Sequence, residues 1–194
     1  DFFRFSGIFR SVYLYTVPKV HLYDVKVEPE VTEALDAADL KIGLISTAKG
    51  KARFTLLDGE NQVMEEEREL DLENSFSFAI ASPKLWSAEI PYLYELRIEV
   101  SDEAGTLQEV TSMHVGFRRF EMKDGIMLIN GKRIVFKGVN RHEFSSVTGR
   151  AVSRKELILD IETMKRNNIN AIRTCHYPDD SAIYQLCDEY GLYL

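Results

Sequence analysis

The run from Ile134 to Leu194 opens with Ile134-Val135-Phe136-Lys137-Gly138, passes through Ser153-Arg154-Lys155-Glu156 and Ile169-Asn170-Ala171-Ile172-Arg173-Thr174, and closes with Gly191-Leu192-Tyr193-Leu194. β-Branched and aromatic residues in the first and third of these predict strands. Between them Ser153 and Glu156 form a capping-box pair, Leu157, Ile161 and Met164 share a face, and Lys165-Arg166 fall in the last turn, where cations suit the helix dipole. The spacing predicts a helix of about 14 residues, ended by Asn167-Asn168. Asp180 is expected to cap a second helix with Ile183, Leu186 and Cys187 on one face and Gly191 as its stop. Leu192-Tyr193-Leu194 begins a third strand, and strand-helix-strand-helix-strand at this spacing is the pattern of a parallel sheet.

A doubly wound nucleotide-binding sheet would place a Gly-rich turn after its first strand. Asn140-Arg141-His142-Glu143-Phe144-Ser145-Ser146 has neither that turn nor a P-loop, which favours a (β/α)8 barrel, whose active sites collect at the C-terminal ends of the strands. Asn140, Arg141, His142 and Glu143 follow the first strand, and Cys175, His176, Tyr177 and Pro178 follow the second, after Arg173 at its end. His142 and His176, 34 residues apart, should therefore face one cavity. The competing reading is that both merely satisfy loop backbone groups. A zinc pair is disfavoured, because there is no His-x-His or His-x-x-x-His.

Upstream, Tyr23, Val25 and Val27 alternate along Val20–Glu28, and similar runs recur at Leu40–Ser46, Ala52–Leu57, Phe76–Ile80, Tyr94–Val100 and Val110–Val115. Asp58-Gly59-Glu60-Asn61, Ser82-Pro83, Asp102-Glu103-Ala104-Gly105 and Asn130-Gly131 are turn chemistry. Short strands without a helical period favour an immunoglobulin-like antiparallel sandwich, here without the Cys…Trp…Cys spacing. The chain is thus read as mostly β plus α/β: an immunoglobulin-like antiparallel β-sandwich, then the first βαβαβ part of a truncated (β/α)8 TIM barrel. Three successive glutamates in Glu65-Glu66-Glu67-Arg68-Glu69 point to alternate faces of a strand, so a solvated strand or turn is expected rather than a cation site. Trp86 is expected to pack in its loop rather than stack on a sugar.

The chain has 194 residues, 45% hydrophobic and 28% charged, with 24 Lys+Arg against 31 Asp+Glu and a net charge of −7. That balance excludes a chain built mainly to hold nucleic acid. Residues 134–194 contain eight basic and eight acidic side chains, so the acidic excess lies in residues 1–133. Two cysteines, Cys175 and Cys187, are too few for a disulfide framework and point to a reducing, cytoplasmic compartment. No apolar run approaches the roughly 18–20 residues that cross a bilayer, so no membrane partner is expected. The chain starts at Asp1 without Met, and the 61 residues from Ile134 are about a quarter of the roughly 250 that a barrel needs, so a piece of a longer protein is expected.

Gly138-Val139-Asn140-Arg141-His142-Glu143, then Asn170-Ala171-Ile172-Arg173-Thr174-Cys175-His176-Tyr177-Pro178 and Cys187-Asp188-Glu189-Tyr190-Gly191-Leu192-Tyr193, together resemble the β-galactosidases of glycoside hydrolase family 2. Ser6-Gly7-Ile8-Phe9-Arg10 resembles the end of that family's N-terminal jelly-roll domain, Leu85-Trp86-Ser87 with Pro91-Tyr92-Leu93-Tyr94 its immunoglobulin-like domain, and Gly116-Phe117-Arg118 the start of its barrel. The resemblance implies domains at 1–15, 16–117 and 118–194. It also implies a retaining hydrolase of terminal β-galactosides such as lactose, with both catalytic glutamates and the magnesium ligands beyond Leu194, so that this chain alone is inactive and Glu143 is not a catalytic group.

By the same resemblance His142 and His176 contact galactosyl hydroxyls, Asp1 touches sugar and a sodium ion, Arg173 lies near the nucleophile, and Asn140 and Arg141 support the loop. An incomplete barrel is expected to leave apolar surface that packs against another chain. Two alternatives stand beside this reading: a β-glucuronidase of the same family, against which Asn140-Arg141-His142 leans, and a non-catalytic sandwich that binds carbohydrate or protein.

Overall fold

A computed structural model describes residues 6–194, which divide into two compact units. One comprises Thr16–Ser87 and Tyr92–Ile134; the other comprises Ala88–Pro91, Val135–Leu194 and the described residues up to Tyr15.

Seven strands build the first unit: β1 (Leu22–Val31), β2 (Ala37–Ser46), β3 (Gly50–Asp58), β4 (Asn61–Leu70), β5 (Glu73–Ala81), β6 (Tyr94–Asp102) and β7 (Leu107–Val115). They form an antiparallel sheet in the order β1-β2-β5 and a second in the order β4-β3-β6-β7, the two-sheet arrangement expected of an immunoglobulin-like sandwich. Period-2 alternation supplies its core: Leu40, Ile42 and Leu44 from β2, Phe54 and Leu56 from β3, and Leu96, Ile98 and Val100 from β6 are all buried. The Phe54 ring lies 5.1 Å from Phe76 and 5.0 Å from Phe78, tilted against both. Burying each such Phe or Leu stabilises the fold by about 1.5–3 kcal/mol.

The acidic run belongs to strand β4 at a sheet edge. Its glutamates alternate as expected, with Glu67 paired to Lys51 at 3.3 Å and to Arg53 at 3.4 Å across the ladder. Trp86 is buried: its N–H donates to Phe117 O, its carbonyl accepts from Asn130 Nδ2, and the Arg118 guanidinium lies 5.2 Å over its ring. No face is left for a sugar to stack on, because that ring is already covered.

A small meander follows in the same unit, β8 (Phe120–Lys123), β9 (Ile126–Ile129) and β10 (Lys132–Arg133), ordered β10-β9-β8. The Asn130-Gly131 turn has φ of 51° and 71°, both positive as a type I′ hairpin requires. Asp124-Gly125 repeats this with φ of 51° and 74°, so the meander has two turns of the same kind.

The second unit contains β11 (Gly138–Arg141), α1 (Arg154–Arg166), β12 (Ala171–Thr174) and α2 (Ser181–Tyr190). β11 and β12 pair in parallel, Gly138 opposite Ala171 through Arg141 opposite Thr174, and Tyr193 bridges in parallel to Ala171. The first strand begins at Gly138, not Ile134. Residues 135–137 are instead tied down by Asn170, whose Oδ1 accepts from Lys137 N at 2.7 Å and whose Nδ2 donates to Val135 O at 3.0 Å. Those side-chain bonds take up backbone groups that a ladder would otherwise use, and pairing starts at Gly138.

Both helices start as expected. Ser153 and Glu156 complete the capping box of α1, and the Asp180 carboxylate accepts from Ala182 N at 2.9 Å to cap α2. Leu157 and Ile161 from α1 pack with Ile183, Leu186 and Cys187 from α2, and with Ile172 and Leu192. Gly191 ends α2 with φ of 76°, and a Cβ there would lie 2.4 Å from the Ala88 carbonyl oxygen. Only glycine meets both demands. Lys165 Nζ closes the same corner by donating to the carbonyls of Ala88 and Gly191. No helix among the described residues is long and apolar enough to cross a membrane.

Candidate functional site

In-register parallel pairing sets Asn140 beside Arg173 and Arg141 beside Thr174, so the chains leaving the two strands start side by side. Asn140 and Arg141 are strand residues rather than loop residues, because the strand starts four residues later than expected. Alternation then sends them to opposite faces. Asn140 is exposed with Arg173, whose Nη1 lies 3.5 Å from Asn140 Oδ1.

Arg141 turns to the buried face. Its Nη1 donates to Asp179 Oδ2 at 2.8 Å, while Nε and Nη2 donate to Asp160 Oδ2 on α1 at 3.0 and 2.9 Å. One guanidinium thereby joins the strand, its following helix and the loop that precedes α2. Asp179 is fully enclosed, and burial pushes its carboxyl above the ordinary range, opposed by the Arg141 charge.

Beyond the strands, His142 and His176 come together, with ring centroids 5.9 Å apart and planes at 85°. Tyr177 joins them, its Oη 3.5 Å from His142 Nδ1. Arg150 lies 4.4 Å over the Tyr177 ring and 4.5 Å over that of Phe9, a cation held between two aromatic faces. Tyr177 follows His176 in the motif after the second strand, but no sequence pattern pairs it with Arg150 or Phe9, which only the fold brings to it.

Glu143 is buried, with both oxygens engaged. Oε1 accepts from Asp180 N at 2.7 Å, and Oε2 accepts from Arg10 Nη2 at 2.7 Å and Nε at 3.3 Å. Both carboxylate oxygens are thus held by charge-assisted hydrogen bonds. Cys175 and Cys187 are free thiols, both buried, and burial pushes Cys187 up to about 12.

Asp1 lies outside the described residues. Among those described, no three His, Cys, Asp or Glu side chains converge to hold a metal ion. Glu143 is engaged by Arg10, and Asp160 and Asp179 by Arg141. The described carboxylates near the histidines therefore do not fit a magnesium or sodium ion. The described side chains offer hydrogen bonding: two imidazoles brought together beyond the strands and an exposed guanidinium on β12.

Residues 20–118 match the profile of glycosyl hydrolases family 2, and residues 120–194 match that of the family's TIM barrel domain. Over its full length the chain is 50% identical to a β-galactosidase of Halalkalibacterium halodurans and 46% identical to one of Streptococcus thermophilus. It covers 20% and 19% of those proteins, about a fifth of the length of the curated relatives it matches. In structure it resembles β-glucuronidase 3 of Bacteroides uniformis, with a TM-score of 0.83 and 28% identity over 91% of this chain and 22% of that one. Two profiles that together cover residues 20–118 and 120–194, and end-to-end likeness to members of one family, place the chain in it: it belongs to glycoside hydrolase family 2.

Proposed function

We propose that this chain supplies the substrate-holding part of the active site of a retaining β-galactosidase acting on terminal β-D-galactosides such as lactose. The observation that carries the reading is identity of 50% and 46% to β-galactosidases across the whole chain. The β-glucuronidase reading draws on structural likeness at 28% identity.

In this assignment His142 and His176 hold galactosyl hydroxyls, and their crossed rings approach one sugar from two directions. Hydrogen bonds that shorten as the sugar flattens toward an oxocarbenium ion favour the transition state over the bound substrate. Arg173 lies near the nucleophile and keeps it ionised, with Asn140 as its neighbour. Arg141 supports the strand end. The two catalytic glutamates belong to other barrel strands of the full-length protein, and the 194 residues alone are inactive. Domains at 1–15, 16–117 and 118–194, and a cytoplasmic location, complete the proposal, the latter supported by the two free buried thiols. Val135, Phe136 and Leu194 are exposed beside the parallel strands, which supports their being covered by further barrel strands or a second subunit.

The full-length protein is expected to hydrolyse an aryl β-galactoside with kcat/KM at least about 100-fold above that for the matching β-glucuronide. Preference for the glucuronide would replace the assignment with the second one. Failure on both, with galactoside binding retained in the sandwich, would leave a non-catalytic module.

A further inference from the structure

We infer that Glu143 and Arg10 are positioning residues that together set the separation of the two site histidines. The inference rests on the proposal that His142 and His176 hold the sugar.

The strand ladder gives its last described support, the Cys175 N–H to Arg141 O bond at 2.9 Å, before either histidine is reached. Beyond that point Tyr177 Oη meets His142 Nδ1 at 3.5 Å and Arg141 holds Asp179 at 2.8 Å, and two further charged side chains, Glu143 and Arg10, tie the backbones of the two loops together. Glu143 is the residue after His142, so wherever its carboxylate is fixed the His142 backbone is fixed too. Oε1 of that carboxylate takes the N–H of Asp180, four residues past His176, at 2.7 Å. Oε2 takes Arg10, and the same Arg10 Nη2 donates to the carbonyl of Pro178, two residues past His176, at 2.8 Å.

One carboxylate and one guanidinium thus bracket both histidine loops, and a third stretch of chain is stapled to them. Glu143 is 2% exposed while Arg10 reaches solvent, so screening of their bonds is reduced on the carboxylate side. Charge-assisted bonds of this length are about twice as strong as neutral ones. Arg10 is exposed at its outer edge, with its neighbour Phe9 against the Arg150 guanidinium that in turn covers Tyr177. The clamp therefore acts on His142 through Glu143 and on His176 through Pro178 and Asp180, without touching the sugar itself.

Misplacing a binding group by about 1 Å costs on the order of 100-fold in rate. In the full-length protein, Glu143→Gln and Arg10→Ala are each expected to lower kcat/KM for an aryl β-galactoside by about 10- to 100-fold, mostly through kcat. Arg10→Lys should recover part of the loss, and the double variant should fall little below the worse single one. The decisive readout is a series of deoxygalactosides. On the analogue lacking the hydroxyl that His176→Ala identifies as its partner, wild type and Glu143→Gln should converge, whereas general damage to the fold would lower every substrate alike.

If Glu143→Gln does not fold, the Arg10 variants carry the test, since their side chain is partly solvated. The inference is overturned if Arg10→Ala stays within about twofold of wild type while His142→Ala and His176→Ala lose activity. If the two histidine variants themselves keep full activity, the sugar-holding assignment falls and the positioning role falls with it.

Discussion

Replacing Arg141 with Met is expected to destabilise the parallel unit by about 3–5 kcal/mol, the usual cost of leaving one partner of a buried ion pair uncompensated. Asp179 has no exposed side-chain surface, and its Oδ1 has no partner in the structure, so Arg141 is the group that meets its charge. Asp160 is nearly half exposed and would be solvated instead. The loss should therefore come from Asp179, and Arg141→Met with Asp179→Leu should recover much of it, because an apolar pair of similar volume avoids the desolvation of both ions.

The pH dependence has a definite sign. Burial already holds the folded-state carboxyl of Asp179 above its ordinary range, with Arg141 pulling it down. Removing Arg141 raises it further. A group raised on folding gives its full stabilisation below its unfolded pKa and loses it as pH rises through the folded one. The deficit of Arg141→Met should accordingly be largest near neutrality and shrink as pH falls toward about 4, where Asp179 enters the fold protonated. Amide exchange at Val139, Ile172 and Leu192, followed against pH in the full-length protein, reads this directly. Unchanged protection at pH 7 would show that the Arg141 bonds contribute no net stability.

His142→Ala and His176→Ala carry the largest expected effect on activity. Each should lower kcat/KM toward an aryl β-galactoside by on the order of 100- to 1,000-fold, the range seen when one preorganised hydrogen bond that strengthens in the transition state is deleted. The loss should fall on kcat more than on KM, since hydrogen bonds that tighten in the transition state are the ones removed. Because the two rings lie 5.9 Å apart and serve one ligand, the effects should be less than additive. A rise in KM alone, with kcat intact, would make the histidines ground-state contacts only.

Much of the fold was legible in the sequence because local signals agreed with the tertiary outcome. Ser153 and Glu156 form both halves of their capping box, Gly191 stops α2 in the left-handed region, and Asn130-Gly131 turns with both φ positive. The strand at 134–138 was misplaced because composition marks apolar residues without saying which backbone groups are free to pair, and Asn170 takes those of Val135 and Lys137. Strand β4 was only half recognised, because its glutamates reveal a solvated face and little else.

The site divides along the same line. His142 and His176 could be paired in advance, since adjacent parallel strands must bring their following loops together. Arg10 could not, because its partner Glu143 is 133 residues away and no pattern connects them. Asp179 gave no sign of its burial either, standing beside the helix cap Asp180 as one of two acidic residues of which only the second has a local task.

The central claim, that this chain holds the sugar of a β-galactosidase, is tested most directly by a crystal structure of the full-length protein with galactose bound. Imidazole nitrogens of His142 and His176 should each lie within about 3.2 Å of a galactosyl hydroxyl. Galactose seated elsewhere, with both rings out of reach, would contradict it.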